Sequence, residues 1–443
     1  MTGKIRLTTF IVTFLFIAPT VLLSMNPIKG DGVYAGEMNN TAVYGANDYV
    51  ITDGQKNSLT FKYLFEFALS FGDRTTGSEG ADAAAEYLSL FFMNNGYAPH
   101  TFEDKGLVDE NGGMAFFVEG EKGKKIPAKN IVFSKESADN PAKLSVIIGA
   151  HYDNSTFDGN ADGASDNASG IAVLLGLAEA LKDVELDFNV IFTAFAAEEQ
   201  GLLGSKYFVS KMSEKEKANT LLFVNLDCVS GGDKLYLYVD EVNRKHGKYL
   251  FDLSKDKNLF ERFGEDLFMM PNDRIILVSD EFSGLPYMSY AMLSDHAPFF
   301  KAGMNIAYFM SANFDVKDTF DLRESKTHPN IVNTKNDNLK TYLEYYGESG
   351  HKKGDAVVDL LAAALVDNAF ISVMRESRLT SRPYAFLYND IFYAGIHVIA
   401  FCAVLTLIYF VYKKLDKMNG GGKDSEPDVK TAEDIVVFEE FNI

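Results

Sequence analysis

The chain's 443 residues, 47% of them hydrophobic, are enough for one large core with accessory segments. A formal charge of -20 argues against a nucleic-acid partner, because nothing would neutralise the phosphates, and the same acidity suits a solvated extracellular domain. The two cysteines, Cys228 and Cys402, fall after an apolar strand and inside a long apolar stretch, which argues against a disulfide between them.

In chain order, Lys4 and Arg6 precede an apolar run over residues 7–23. This has the form of an export signal, with a small-residue cleavage site at Val33-Tyr34-Ala35, so residues 1–35 read as a signal peptide or an uncleaved signal anchor. Between about 47 and 371, strand-like and helix-like segments alternate, which predicts one α/β domain. Residues 80–95 read as a helix, and 105–125, rich in Gly and Lys, as a surface loop or hairpin. The continuous apolar run 144–150 predicts a strand buried on both faces. A helix follows over 169–182, with Ile171, Leu174, Leu175, Ala178 and Leu181 on one stripe. Further strands are expected at 189–195, 220–226, 234–239 and 304–310, and further helices at 203–212 and 354–368. No repeat and no second compact domain is legible.

Residues 391–412 carry no formal charge and match the ~20 residues that a membrane helix needs. Tyrosines on both flanks and an apolar circumference support a transmembrane helix. Arginines precede it and lysines follow it, so flanking charge does not orient it; the export signal does. That places the body outside the membrane and the acidic tail 413–443, with its glycine triplet, in the cytoplasm as a disordered segment.

Chemistry concentrates just after the apolar strands. His151 and Asp153 end the first, Glu198 and Glu199 the second, and Asp227 the third, while Asp166 stands in a Gly- and Ser-rich turn entering a helix. Each has an ordinary alternative: a structural histidine, a helix cap at Asp166 or Ser169, two glutamates on a solvated loop. Together, at successive carboxyl ends of strands, they form the imidazole and carboxylate set that holds zinc, with a further carboxylate to serve as base. Asp153, two residues along an extended chain from His151, is placed to orient its ring.

The series His151-Tyr152-Asp153, Gly163-Ala164-Ser165-Asp166-Asn167-Ala168-Ser169-Gly170, Glu198-Glu199-Gln200-Gly201 and Asn225-Leu226-Asp227 resembles the co-catalytic dizinc aminopeptidases of the aminopeptidase Y type. That family includes glutamate carboxypeptidase and glutaminyl cyclase relatives. Arg74-Thr75-Thr76-Gly77-Ser78 and Ser294-Asp295-His296-Ala297-Pro298-Phe299 extend the likeness, which covers roughly residues 59–367. It implies a mixed, mostly parallel central sheet flanked by helices, and two zinc ions per chain. Asp166 would bridge the ions, His151 and Asp227 would complete one site and Glu199 the other, and Glu198 would be the general base. Asp153 would orient His151. His296 would support the site or face the substrate, or else be a packed structural histidine.

One position departs from the pattern. Where the family places its last ligand, in a His-Thr-x-x-Asp-Thr context, this chain has Asn333, whose neutral amide is a poor zinc donor. His328, five residues earlier, is the candidate replacement if its loop folds back; otherwise the second metal is weakly held or absent. The activity implied is removal of N-terminal residues from peptides outside the membrane. Glutaminyl cyclisation, carboxypeptidase activity and a membrane-anchored binding module without catalysis remain as rivals. The absence of tryptophan and of an arginine cluster weighs against the first two.

Overall fold

The structure, a computed structural model, describes Tyr49 and residues 51–385 except 105, 156–161, 240–244, 271–274, 277–287, 290–292 and 316–322, together with Thr406 and Tyr409. The apolar segments expected at 7–23 and 391–412 and the tail 413–443 lie outside the described residues, except for Thr406 and Tyr409. Two units divide at Ala385, and every element below belongs to Met1–Ala385.

The elements run α1 Asp53–Lys56, α2 Leu59–Ser70, α3 Glu79–Asn94, β1 Ala98–Pro99, β2 Gly113–Glu119, β3 Lys125–Lys135, β4 Ser145–His151, α4 Ser169–Leu181, β5 Asn189–Phe195, α5 Leu203–Lys211, α6 Glu214–Asn219 and β6 Thr220–Leu226. They continue through β7 Lys234–Val239, α7 Lys245–Asp256, β8 Leu267–Met269, β9 Ile275–Ile276, β10 Met288–Ser289, α8 His296–Lys301, β11 Ile306–Ala312, α9 Leu339–Leu365 and α10 Phe370–Ala385. Helix starts follow side-chain caps: Ser58, Ser78 and Asn338 accept from the amides of Phe61, Ala81 and Thr341 at the heads of α2, α3 and α9.

Nine strands form one mixed sheet in the order β1-β3-β5-β4-β6-β11-β7-β8, with β2 paired to β3. Its centre, β5-β4-β6-β11, is parallel. β4 and β6 are buried along their whole length, as their largely apolar sequences require. β5 lies on one side of β4 and β6 on the other, so the chain reverses its direction of travel across the sheet beside β4. The carboxyl ends there open a crevice of the kind that binds ligands in such sheets.

Register sets what meets in that crevice. His151 pairs with Phe195, so residues 196–199 begin where β4 ends. Gly149 pairs with Asn225; two residues on, and on the same face, His151 and Asp227 stand level. Gly149 is required by its neighbours: a Cβ there would lie 2.6 Å from the Phe195 ring and 2.9 Å from the Phe223 ring. Those rings pack with Phe208 and Phe299 on one face of the sheet. Phe192, three residues before Phe195, points to the other face, among Phe92, Tyr97 and the α4 side of the core.

The 105–125 stretch takes its hairpin alternative, β2 pairing with β3. Two elements differ from the sequence reading. The helix expected over 354–368 begins at Leu339, because Gly347, Gly350 and Gly354 serve close packing and do not break it. A Cβ at Gly350 would lie 2.1 Å from the Tyr342 hydroxyl and one at Gly354 2.7 Å from that of Thr60. β11 starts two residues late, since Met304 and Asn305 complete the turn that leaves α8 through left-handed Gly303. Among the described residues, no single helix is long and apolar enough to cross a membrane. Leu339–Leu365 and Phe370–Arg378 would pass together by length and composition. However, α9 buries Leu339, Tyr342, Val357, Leu360 and Leu361 in the core of the domain.

Candidate metal centre

Three of the expected residues converge. His151 Nε2 lies 3.0 Å from Asp166 Oδ1 and 3.4 Å from Asp227 Oδ1. One ligand atom from each residue falls within 4.8 Å of the others, and all three residues are buried. The ring's tautomer follows from its other nitrogen. Nδ1 donates to the main-chain carbonyl of Asp153 at 3.1 Å, which leaves the Nε2 lone pair facing the two carboxylates in the neutral ring. The Asp153 carboxylate stands farther from Nδ1, at 3.7 Å. It accepts instead from the amides of Glu198 and Glu199, at 3.1 and 3.3 Å. Asp153 therefore orients His151 through its backbone and the two glutamates through its side chain.

The turn carrying Asp166 is Ala164–Ala168, in which Asp166 and Asn167 have non-helical backbone angles. Helix capping falls to Asn167, not to Asp166 or Ser169: its Oδ1 accepts from Gly170 N at 2.9 Å and from Cys228 N at 3.1 Å, and its Nδ2 donates to Leu226 O at 2.9 Å. Asp166 is thus released from capping, and its buried Oδ1 has no hydrogen-bond partner despite its closeness to His151. Two non-glycine residues beside the cluster hold left-handed backbone, Ala197 before Glu198 (φ 57°) and Cys228 after Asp227 (φ 52°). Such angles are uncommon outside glycine and gather where a fold aims functional side chains.

The electrostatics are one-sided. Burial opposes a charge on His151, but Glu198, Asp153, Asp166 and Asp227 around it outweigh that and raise its pKa well above the usual imidazole value. Burial raises Glu198 and Glu199 well above the usual carboxylate range; the neighbouring acids Asp295 and Asp227 add to it for Glu198, and Asp166 and Asp153 for Glu199. Asp227 alone is held below its ordinary value: burial pushes it up, but the bonded imidazole outweighs this. Crowded buried carboxylates are costly without a cation. An orphaned Asp166 oxygen, an imidazole lone pair and carboxylate donors together fit a divalent ion of the zinc type.

Glu199 and His328 are not part of the three-residue cluster. Glu199 is half-buried beside it, close enough for Asp166 to influence its pKa. The His328 ring stacks on Tyr345, centroids 4.3 Å apart, and Asn333 sits in left-handed backbone (φ 58°) in the same segment. His296 is fully buried, stacks on Tyr308 at 4.4 Å and stands 3.4 Å from the Asn225 side-chain amide. Sequence reasoning missed three supporting groups. Asp295, fully buried, is pushed up to about 7 by burial. Arg74, also fully buried, donates to the carbonyls of Tyr152, Asp162 and Gly163. Asp337 accepts from the amides of Ser165 and Asp166. All three lay in motifs already noted, Asp337 at the Asp of the His-Thr-x-x-Asp-Thr stretch, but without a role.

Residues 130–347, which hold His151, Asp166, Glu198, Glu199, Asp227 and Asp337, match the model of Peptidase family M28. The alkaline phosphatase isozyme conversion protein of Escherichia coli (strain K12) is 32% identical over 182 residues, 38% of this chain and 50% of that protein. Aminopeptidase YwaD of Bacillus subtilis (strain 168) is 32% identical over 185 residues, 41% of this chain and 35% of the relative. The chain thus spans half or less of the length of these relatives. A crystal structure of Bacteroides thetaiotaomicron glutaminyl cyclase bound to N-acetylhistamine shares the fold at TM-score 0.50 and 16% identity, covering 69% of this chain and 96% of its own.

Proposed function

We propose, from the match of residues 130–347 to Peptidase family M28, that the chain is a zinc-dependent exopeptidase, acting as an aminopeptidase on peptides. The observation that carries this reading is the convergence of His151 Nε2 on the carboxylates of Asp166 and Asp227 in a buried crevice at the strand ends.

His151, Asp166 and Asp227 would hold the ion. A zinc ion, when bound, would supply Lewis-acid polarisation of the scissile carbonyl and acidify water. Glu198 would take a proton from the attacking water and pass it to the leaving amine, a task for which a carboxyl raised by burial is suited near neutral pH. Asp153 fixes the backbone of Glu198 and Glu199 through its two amide contacts. The excess of carboxylates attracts the ammonium group of a peptide's N-terminus. Asp166 and Glu199 would offer donors to a second ion, with His328, Asn333 or neither completing its set. We place the domain outside a lipid bilayer, anchored through residues 391–412.

Hydrolysis of aminoacyl-nitroanilides, abolished by chelator and restored by zinc, tests the activity. Cyclisation of an N-terminal glutamine peptide without aminoacyl release would replace the reading with a cyclase. Absence of turnover with under one zinc per chain would replace it with a binding module. Zinc stoichiometry of the wild type beside His328→Ala and Asn333→His identifies the final donor.

A further inference from the structure

We infer that Asp337 is a positioning residue for the metal cluster, one that sets the place of the Asp166 carboxylate by holding the backbone on which it stands. The inference rests on the reading of His151, Asp166 and Asp227 as ligands. The Ala164–Ala168 turn leaves helical geometry at Asp166 and Asn167, so the shape of its peptide chain must be fixed from outside. Asp337 supplies that. Its Oδ1 accepts from Ser165 N at 2.7 Å and its Oδ2 from Asp166 N at 2.9 Å, across more than 170 residues of chain. Its own carbonyl accepts from Gly163 N at 2.9 Å, so three amides of one turn close on one residue. Asp337 is 2% exposed, and amide bonds to a buried carboxylate are short, strong and geometrically specific.

A second buried group holds the turn from the other side. Arg74 donates through Nη1 to Asp162 O at 2.6 Å and through Nη2 to Gly163 O at 3.1 Å. Its Nε donates to Tyr152 O at 2.7 Å, and its amide donates to Asn154 Oδ1 at 2.8 Å. Arg74 thus ties the approach to Asp166 to the residues just beyond His151, while Asp337 acts on Asp166 itself. With the turn located against β4 in this way, the Asp166 oxygen faces Nε2. Without Asp337 the turn keeps its tie to Arg74 but loses two donors' partner at Ser165 and Asp166, and the carboxylate no longer has a fixed origin. Loss of such support commonly weakens metal binding 10–100-fold.

The test uses the purified full chain, with zinc affinity measured by competition against a chromophoric chelator and the visible spectrum of the cobalt-substituted protein. Asp337→Ala is expected to weaken zinc 10–100-fold and to change the cobalt band shape. Asp337→Glu, which restores the carboxylate one methylene longer, is expected to recover part of the affinity. Asp337→Asn, nearly unchanged in shape but presenting an amide to one of the two N–H donors, is read if the alanine variant does not fold. Folded variants with wild-type affinity would overturn the inference while leaving the metal reading intact, and so would weakened affinity with an unchanged cobalt spectrum. A wild-type chain that takes up no zinc overturns both, so the two failures are distinct.

Discussion

Asp166→Asn should raise the stability of the metal-free protein and remove its response to zinc. Asp166 is 8% exposed, its Oδ1 has no hydrogen-bond donor, and burial pushes its carboxyl up, with the charges of Asp227 and Asp153 adding to this and His151 opposing it. An unpartnered buried acceptor costs about 1–3 kcal/mol. The amide removes the charge at nearly constant shape, keeps the backbone bond to Asp337, and leaves His151 with Asp227 as partner. At about 2 °C per kcal/mol for a domain of this size, the metal-free variant should melt about 2–6 °C above wild type. Zinc at a hundredfold excess over Kd should add ~2.7 kcal/mol to the wild type and far less to the variant. The order of the two melting curves should therefore approach or cross reversal on adding zinc. Thermal unfolding followed by circular dichroism, in chelator and in buffered zinc, reads both shifts. A variant less stable than wild type in chelator, or one that gains as much from zinc, would refute the view that these carboxylates are crowded for the sake of a cation.

Three further outcomes are expected. Glu198→Gln should lower kcat by about 10²–10⁴ while zinc stays bound; a loss within tenfold would remove Glu198 as the base. Phe299→Ala should cost about 3–5 kcal/mol by urea unfolding, since the ring is fully buried and stacks on Phe223 at 3.7 Å. His246 is held down to about 4 by burial, with Nε2 donating to Ile306 O at 2.8 Å and Nδ1 unpartnered. Because its folded pKa lies below the unfolded value of about 6.5, the unfolded chain takes up the proton first. Stability is then lost as pH falls from about 6.5 toward 4, by roughly 2 kcal/mol at pH 5. His246→Gln should remove that part of the acid slope in urea titrations at pH 7 and 5.

What the sequence made legible follows burial. β5, β6 and β7 match their expected runs end to end, because strands covered on both faces are largely apolar. His151 and Asp227 were legible for a related reason, since polar residues at the ends of such runs stand out, and Asp166 through the Gly- and Ser-rich turn that carries it. The long helix α9 was not, since its first half carries Tyr, Glu, Lys and Gly on a surface pattern, and its glycines look like breakers until Tyr342 and Thr60 are seen against them. Asp337 and Arg74 escaped notice as supports because their work is done on backbone atoms far away in sequence, which leaves no periodic trace. The orienting contact to His151 comes from the Asp153 carbonyl, and no side-chain pattern announces a carbonyl.

Asn167 bears on any attempt to transplant this site. Its single carboxamide joins the head of α4 to the end of β6 through Gly170, Leu226 and Cys228, and a Cβ at Gly170 would lie 2.2 Å from Leu226 O. Asp166 and Asp227 therefore cannot be grafted as isolated side chains onto another sheet. They travel only as a block, residues 163–170 with 226–228, and a host lacking that suture would receive the right letters in the wrong places.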